Sequence, residues 1–434
     1  MVQHDEPVGL DGVQVVFDDE RVVCDAGIAL VAMLARRLGV ELLAGRLVRL
    51  GRDRPGAANA GRKVMAVLYA MVLGADSIDD AGVLRAGRTG RLLGGWIPAP
   101  STLGTFLRAF TFGHVRQLDA LLGQALERAW KAGAGPGEQR LVIDVDSFVG
   151  EVCGRLKQGA AYGYTRLLGY HPILATRADT REALHIRLRK GSANTQKGIK
   201  RFTDELIARV DRAGATGVKL LRADSGFWNT KLFERLEQAG WQYSIGVRTI
   251  KTVSAAVEAI DEDAWQRIDY PEEGEAQIAE TGYGGRRLIV RRTRLVGAQA
   301  ELWPDWRHFA FITNREQDIA LVEAEHREHA VVEQVIADLK DQALAHFPSG
   351  HFHANGAWTV LAALAHNLLR WTQLLGLPDT TVRAARTLRR RLLAIPARLT
   401  RHARGWTLHL PARWPWHGDY ITALNRIRAL PAAA

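Results

Sequence analysis

Apolar positions recur at three- and four-residue spacing through the first third of the chain. In CDAGIALVAMLARRLGVELLAG and AGRKVMAVLYAMVLGADSIDDAGVLRAG this spacing predicts amphipathic helices. Ser101, in PAPSTLGTFLRAF, follows a proline-rich break and is expected to cap the next helix. The stretch KAGAGPGEQR, Lys131 to Arg140, is rich in Gly and Pro and marks a boundary. Beyond it the pattern changes: LVIDVDSF and VKLLRAD read as strands, and NTKLFERLEQAG as a helix with Asn229 as its N-cap and Gly240 just past its end. WQYSIGV is the next strand, so an α/β unit begins here. From about 250 to 306 the rhythm breaks into successive strands, AQIAETGYGG and RRLIVRRTRLVG, with HFAFITN after them. A long helix from about Asp318 to His346 is expected next, then an apolar helix in TVLAALAHNLLRWTQLLG.

The 434 residues are too many for one ordinary domain. No apolar run reaches the roughly eighteen residues that span a bilayer. The amino terminus MVQHDEPVGLDG is acidic and lacks an apolar stretch, so no secretory signal is expected and the protein reads as cytoplasmic. Cys24 and Cys153 are the only cysteines, which excludes a disulfide scaffold or a Cys-rich zinc module. A net charge of +11 and a pI near 9.9 point to polyanions, nucleic acid above all, and hence to the nucleoid. Arg36, Arg37, Arg46, Arg49, Arg52, Arg54, Arg62 and Lys63 make the early helices basic. From Thr380 to Gly418 there is no Asp, Glu or Lys, but there are nine arginines, Arg389, Arg390, Arg391 and Arg404 among them. That stretch is a phosphate-binding surface or tail.

Side chains alternate across a strand, so Asp144 and Asp146 of LVIDVDSF share one face. Two carboxylates on an apolar strand are costly unless a divalent cation neutralises them. Asp224 ends a neighbouring strand, where ligands of open α/β sheets gather. It can hold metal there, cap the Ser225–Gly226 turn, or pair with Arg222. In HREHAVVEQVIADLK, Glu333 sits among apolar residues, with Lys340 two turns on and His326 two turns back on one face, and His329 one turn before it. This is either a catalytic stripe or a solvated salt-bridge face with Glu328, Asp338 and Asp341.

The order and spacing of APSTLGTFLRAF, GYHPIL, LRKGSANTQKG, RADSGF, HREHAVVEQVIADLK, SGHFHANGAW and LAHNLLRW resemble a DDE transposase of bacterial insertion sequences. The similarity is to the branch whose strand-rich insertion lies between the second Asp and the Glu. It implies an α/β fold: a ribonuclease-H-like catalytic core interrupted by a β-rich insertion, with a helical N-terminal domain and a basic C-terminal region. The divisions expected are 1–135 (helical, DNA-binding), 136–249 and 307–376 (the two parts of the core), 250–306 (insertion) and 377–434 (Arg-rich). The resemblance further implies Asp146, Asp224 and Glu333 as catalytic ligands of two Mg²⁺ ions, with Mn²⁺ as a possible substitute. Asp146, followed by Ser147, is the first Asp and Asp144 the fallback and an additional metal ligand. The family's Tyr-x2-Arg-x3-Glu-x6-Lys signature is kept at Glu333 and Lys340, but His326 and His329 stand where Tyr and Arg would, and Arg327 covers part of the Arg role. Lys340, His329, Arg327 and His326 are implied to hold DNA phosphates, with Arg389, Arg390 and Arg391 as further DNA contacts.

The activity implied is cleavage at terminal inverted repeats and strand transfer into target DNA, by a homodimer on paired ends and with no membrane partner. A DNA-binding regulator or an inactive remnant would share the basic surface without the catalysis. A zinc hydrolase is a third reading, prompted by His326, His329, His346, His351 and His353, although HREH lacks the i,i+4 His pair of HExxH.

Overall fold

The computed structural model describes residues 10–432 apart from 52, 164, 270–273, 296–305 and 404. Arg52, Arg404 and the start of the acidic amino terminus lie outside the described residues. Helices of eight residues or more are numbered here with the strands of the main sheet.

The first third folds into α1 (Ile28–Arg37), α2 (Val40–Leu47), α3 (Ala60–Val72), α4 (Pro100–Arg108) and α5 (Phe112–Ala129). Helix α4 starts two residues earlier than expected. Ala99 is its N-cap and Pro100 takes the first turn, where its fixed φ and missing N–H cost nothing; Ser101 is therefore not the cap. Past α5 the chain turns at Gly133 (φ 109°), and buried Trp130 donates its Nε1–H to Glu182 at 3.0 Å.

One nine-stranded mixed sheet follows. Strand β1 (Leu141–Ser147) is flanked on one side by β2 (Ile173–Arg177) and β3 (Ala183–Arg187), each antiparallel to its neighbour. On its other side lie β4 (Lys219–Ala223) and β5 (Gln242–Gly246), both parallel to β1. Parallel neighbours need helical crossovers, and α6 (Ile199–Ala213) and α7 (Thr230–Gln238) provide them, α7 with Asn229 accepting from Lys231 N as its N-cap. The order β3-β2-β1-β4-β5 is the ribonuclease-H-like arrangement.

The insertion contributes α8 (Lys251–Glu258), β6 (Gln266–Ile268), β7 (Gly274–Tyr283) and β8 (Arg286–Leu295). Gly284 and Gly285, both at positive φ, close the tight β7–β8 hairpin. Strand β9 (Arg307–Thr313) pairs with both β8 and β5, so the inserted strands prolong the central sheet rather than standing apart from it.

The helix expected from Asp318 to His346 is broken. Asp318 caps α9 (Ile319–Arg327), a 3-10 turn occupies Glu328–Ala330, and α10 (Val331–Lys340) resumes in a new position. Then comes α11 (Phe352–Gly376), buried on almost every side. Around it one hydrophobic core runs from Ile28 through the sheet to Ile427. The Arg-rich region is ordered rather than a loose tail. Ala397–His402 and Gly405–His409 form a hairpin joined to Val22–Val23, and α12 (His417–Ala429) packs on α11 where Gly376 meets Ala423. Among the described residues no helix is long and apolar enough to cross a membrane.

Candidate active site

Register brings the first two carboxylates together. In the parallel β1–β4 ladder Asp144 stands opposite Arg222 and Val145 opposite Ala223. The next residues, Asp146 and Asp224, therefore emerge side by side at the carboxyl ends of adjacent strands, roughly 5 Å apart at the backbone. Asp224 also caps the following turn: its Oδ1 accepts from Gly226 N at 3.0 Å. Capping uses one oxygen and leaves the other exposed. Gly246 of β5 permits the close approach, since a Cβ there would lie 2.8 Å from Ser225 N.

Asp144 is committed elsewhere. Its two oxygens accept from Arg222 Nε (2.7 Å) and Nη2 (2.9 Å), and both residues are buried. Burial pushes the Asp144 carboxyl up and Arg222 pulls it back. Arg222, not Asp224, is thus its partner, and neither Asp144 oxygen is left for a cation. The same guanidinium donates to the carbonyls of Glu325 and Glu328 at the end of α9. Cationic donors at a helix C-terminus are stabilising, and this contact fixes the point at which the long helix breaks.

The break places Glu333 over the strand ends. Val332, Val335 and Ile336 are buried, while Glu333 is exposed at the flank of that face, so its neighbours in sequence do not bury it. Glu333 and Asp224 line one cavity of about 810 Å³, together with His326, Arg327 and His329. Asp146 senses both carboxylates. Burial first, then the charges of Asp224 and Glu333, push its carboxyl up to about 6, although Ser147 N–H and His329 oppose the shift. Among the described residues none of these three carboxylates has an arginine or lysine ion pair like that of Asp144.

The basic residues divide. Lys340 reaches toward Asp146 with Nζ 5.2 Å from the centre of the Phe148 ring, and burial draws its pKa down. His329 Nε2 lies 3.3 Å from Val145 O, beside Asp146. His326 is half-buried, stacked on Phe311 at 4.1 Å, with Nδ1 2.7 Å from Ser244 Oγ. Burial lowers its pKa to about 3, so it is neutral and does not serve as a cation for phosphate. Arg327 Nε lies 3.0 Å from the buried Glu323. Of the C-terminal arginines, Arg389 donates to Gln342 and pairs with Asp341 just beyond Lys340, Arg390 is exposed, and Arg391 lies over Trp416.

A second acidic group lies elsewhere. Asp119, His185 and Glu205 offer three ligand atoms within 4.8 Å of one another between α5, β3 and α6. Arg116 and Arg209 already engage Asp119, and Arg116, Arg187 and Arg201 engage Glu205. Against the effect of burial, His185 and these arginines hold Glu205 down at about 2. The group is an ionic lattice that is already neutralised. The group of Asp146, Asp224 and Glu333 differs: among the described residues only the Asp119 group closes to that span, but Asp224 and Glu333 line one cavity, both charges act on Asp146, and carboxylate oxygens suit a hard divalent cation. Glu323, the Arg222–Asp144 pair and the Asp119 lattice left no sign in the sequence, because each joins elements through tertiary contacts.

No curated protein matches the chain. Among solved structures it is similar to the piggyBac transposase in its synaptic complex with hairpin DNA, at 10% identity and a TM-score of 0.46, over 86% of this chain and 80% of that one. The family described as transposase DDE domain group 1 matches residues 6–432. Nearly the whole chain is covered by that match, and the protein belongs to this family of DDE transposases.

Proposed function

We propose that the protein cleaves DNA at the ends of an insertion sequence and joins those ends to target DNA, with Asp146, Asp224 and Glu333 as its catalytic carboxylates. One observation carries the reading: burial, together with the charges of Asp224 and Glu333, raises the Asp146 carboxyl to about 6, and among the described residues none of the three carboxylates has an arginine or lysine ion pair. Residues so arranged fit Mg²⁺, with Mn²⁺ as a substitute, and Asp144 is left out because Arg222 occupies it. Bound there, divalent ions supply charge neutralisation at the phosphoryl group and activation of the attacking oxygen.

The chain's own residues would do the rest. Lys340, at the edge of the carboxylate group, donates to a phosphate oxygen, and His329 orients the strand beside Asp146. The first attacking group is water and the second is the freed 3′-hydroxyl, so no covalent bond to the protein is needed. The basic helices of residues 1–135 and the exposed arginines of 377–434, Arg390 among them, would hold DNA around the core of 136–249 and 307–376, with 250–306 inserted. We assign the active form to a cytoplasmic homodimer on paired terminal repeats.

The test is incubation of the purified protein with labelled end duplex and Mg²⁺. Wild type should nick the duplex and join its 3′ ends, whereas Asp224→Asn and Glu333→Gln should bind it but fall by at least ~10³-fold in rate. Wild-type cleavage by either variant would falsify the assignment.

A further inference from the structure

The cavity that holds Asp224 and Glu333 is also lined from α9 and from strands β8 and β9. Glu323 of α9 is 2% exposed and lies between two guanidinia. Arg327 Nε is 3.0 Å from its Oε2, and Arg291 Nε of β8 is 3.4 Å from its Oε1. Arg291 is also held over the face of Phe309 of β9, 4.9 Å from the ring centre, and Phe309 is half exposed. All four side chains line the cavity that also contains Asp224 and Glu333.

A buried carboxylate is expensive without counter-charge. Here it has two, so the group carries a net charge of about +1 where like charges would otherwise separate. Each guanidinium meets Glu323 through Nε as an ion pair. Arg327 and Arg291 belong to different elements, which pack together through a small core of their own formed by Ile278, Ile289, Phe311, Ile319 and Val322. Carboxylates and an arginine pair that share one cavity match an extended polyanion with more than one phosphate.

We propose that Arg291 and Arg327, positioned by Glu323, form a second phosphate site that takes a non-scissile backbone phosphodiester of the DNA strand being cut. Fixing the strand at a second point sets the scissile phosphate in register with Asp224 and Glu333. Arg291 and Arg327 touch the substrate, and Glu323 is a positioning residue. The inference rests on the proposed DNA-cleaving function, but binding tests it without catalysis.

Binding of the end duplex is measured in EDTA across a salt series, so the carboxylate site makes no metal-dependent contribution. Arg291→Ala and Arg327→Ala should each weaken binding roughly tenfold and lower the slope of log K against log salt by about one. Arg291→Lys keeps the charge without the fork and should retain the slope while losing affinity. Glu323→Gln should weaken binding without lowering the slope, since no cation is removed. Melting curves matching wild type would separate these effects from unfolding. Unchanged affinity and slope in both alanine variants would overturn the proposal. Cleavage by Asp224→Asn would instead overturn the catalytic reading and leave the EDTA result standing.

Discussion

Asp144 and Asp146 are two residues apart on one strand, yet a guanidinium claims only the first. Asp146 is left with two other carboxylates, and its raised pKa has a measurable cost. A folded carboxyl that titrates near 6 rather than 3.8 binds its proton more tightly than the unfolded chain does. The associated stability is present below pH 4 and is lost as pH rises through about 6. Without metal, Asp146→Asn should therefore gain on the order of 1–3 kcal/mol at pH 7 in a denaturant titration. That gain should shrink toward nothing at pH 4, and Mg²⁺ should stabilise wild type but not the variant. A variant no more stable than wild type at pH 7 would mean that neither burial nor the neighbouring carboxylates penalise the charged form of Asp146. The sequence pattern singled out Asp146, Asp224 and Glu333 through their motifs, and the structure sets Asp224 and Glu333 along one cavity with both charges acting on Asp146. It left the partner of Arg222 open, because strand register decides that partner and is not written in either strand alone.

Helices and strands were legible where periodicity was strong. Asn229 caps α7 as expected, and the Gly-Gly hairpin joins β7 to β8. The break between α9 and α10 was not legible, since nothing in EAEHREHAVVEQ disfavours a continuous helix. Its cause is remote: Arg222, on a strand about a hundred residues earlier, draws the carbonyls of Glu325 and Glu328 to itself. Removing one member of a buried pair strands the other, so Arg222→Met should cost about 3–5 kcal/mol. Adding Asp144→Leu should recover most of that stability in chemical denaturation. The doubly substituted protein should nonetheless remain a poor nuclease, because its helix end has lost its anchor. Full activity in the double variant would show that the break does not depend on this contact.

At the scale of the molecule, α11 joins the amino-terminal helices to the sheet. Asn367 of this helix accepts from Ala183 N at 2.8 Å and donates to Ala183 O at 2.9 Å, so a side chain stands in for a neighbouring strand at the sheet edge. Asn367→Leu leaves both backbone groups buried without partners and should cost roughly 2–5 kcal/mol, read from the denaturation midpoint. An unchanged midpoint would show that water reaches that edge. The composition of α11 announced a buried helix, but not what surrounds it, because a segment apolar on every side does not say which surfaces meet it. The Arg-rich stretch was legible only in part, for a related reason. Charge reports affinity for anions, whereas Leu392, Leu393 and Ile395 between its arginines are buried and hold it to the core.

The position of α11 late in the chain has a consequence for synthesis. Until its residues leave the ribosome, the five earlier helices lack the rod around which they close, and their oily faces stay open to chaperones and proteases. A message cut short before codon 352 would yield a product for degradation, not a smaller protein able to compete with the intact one for the same DNA.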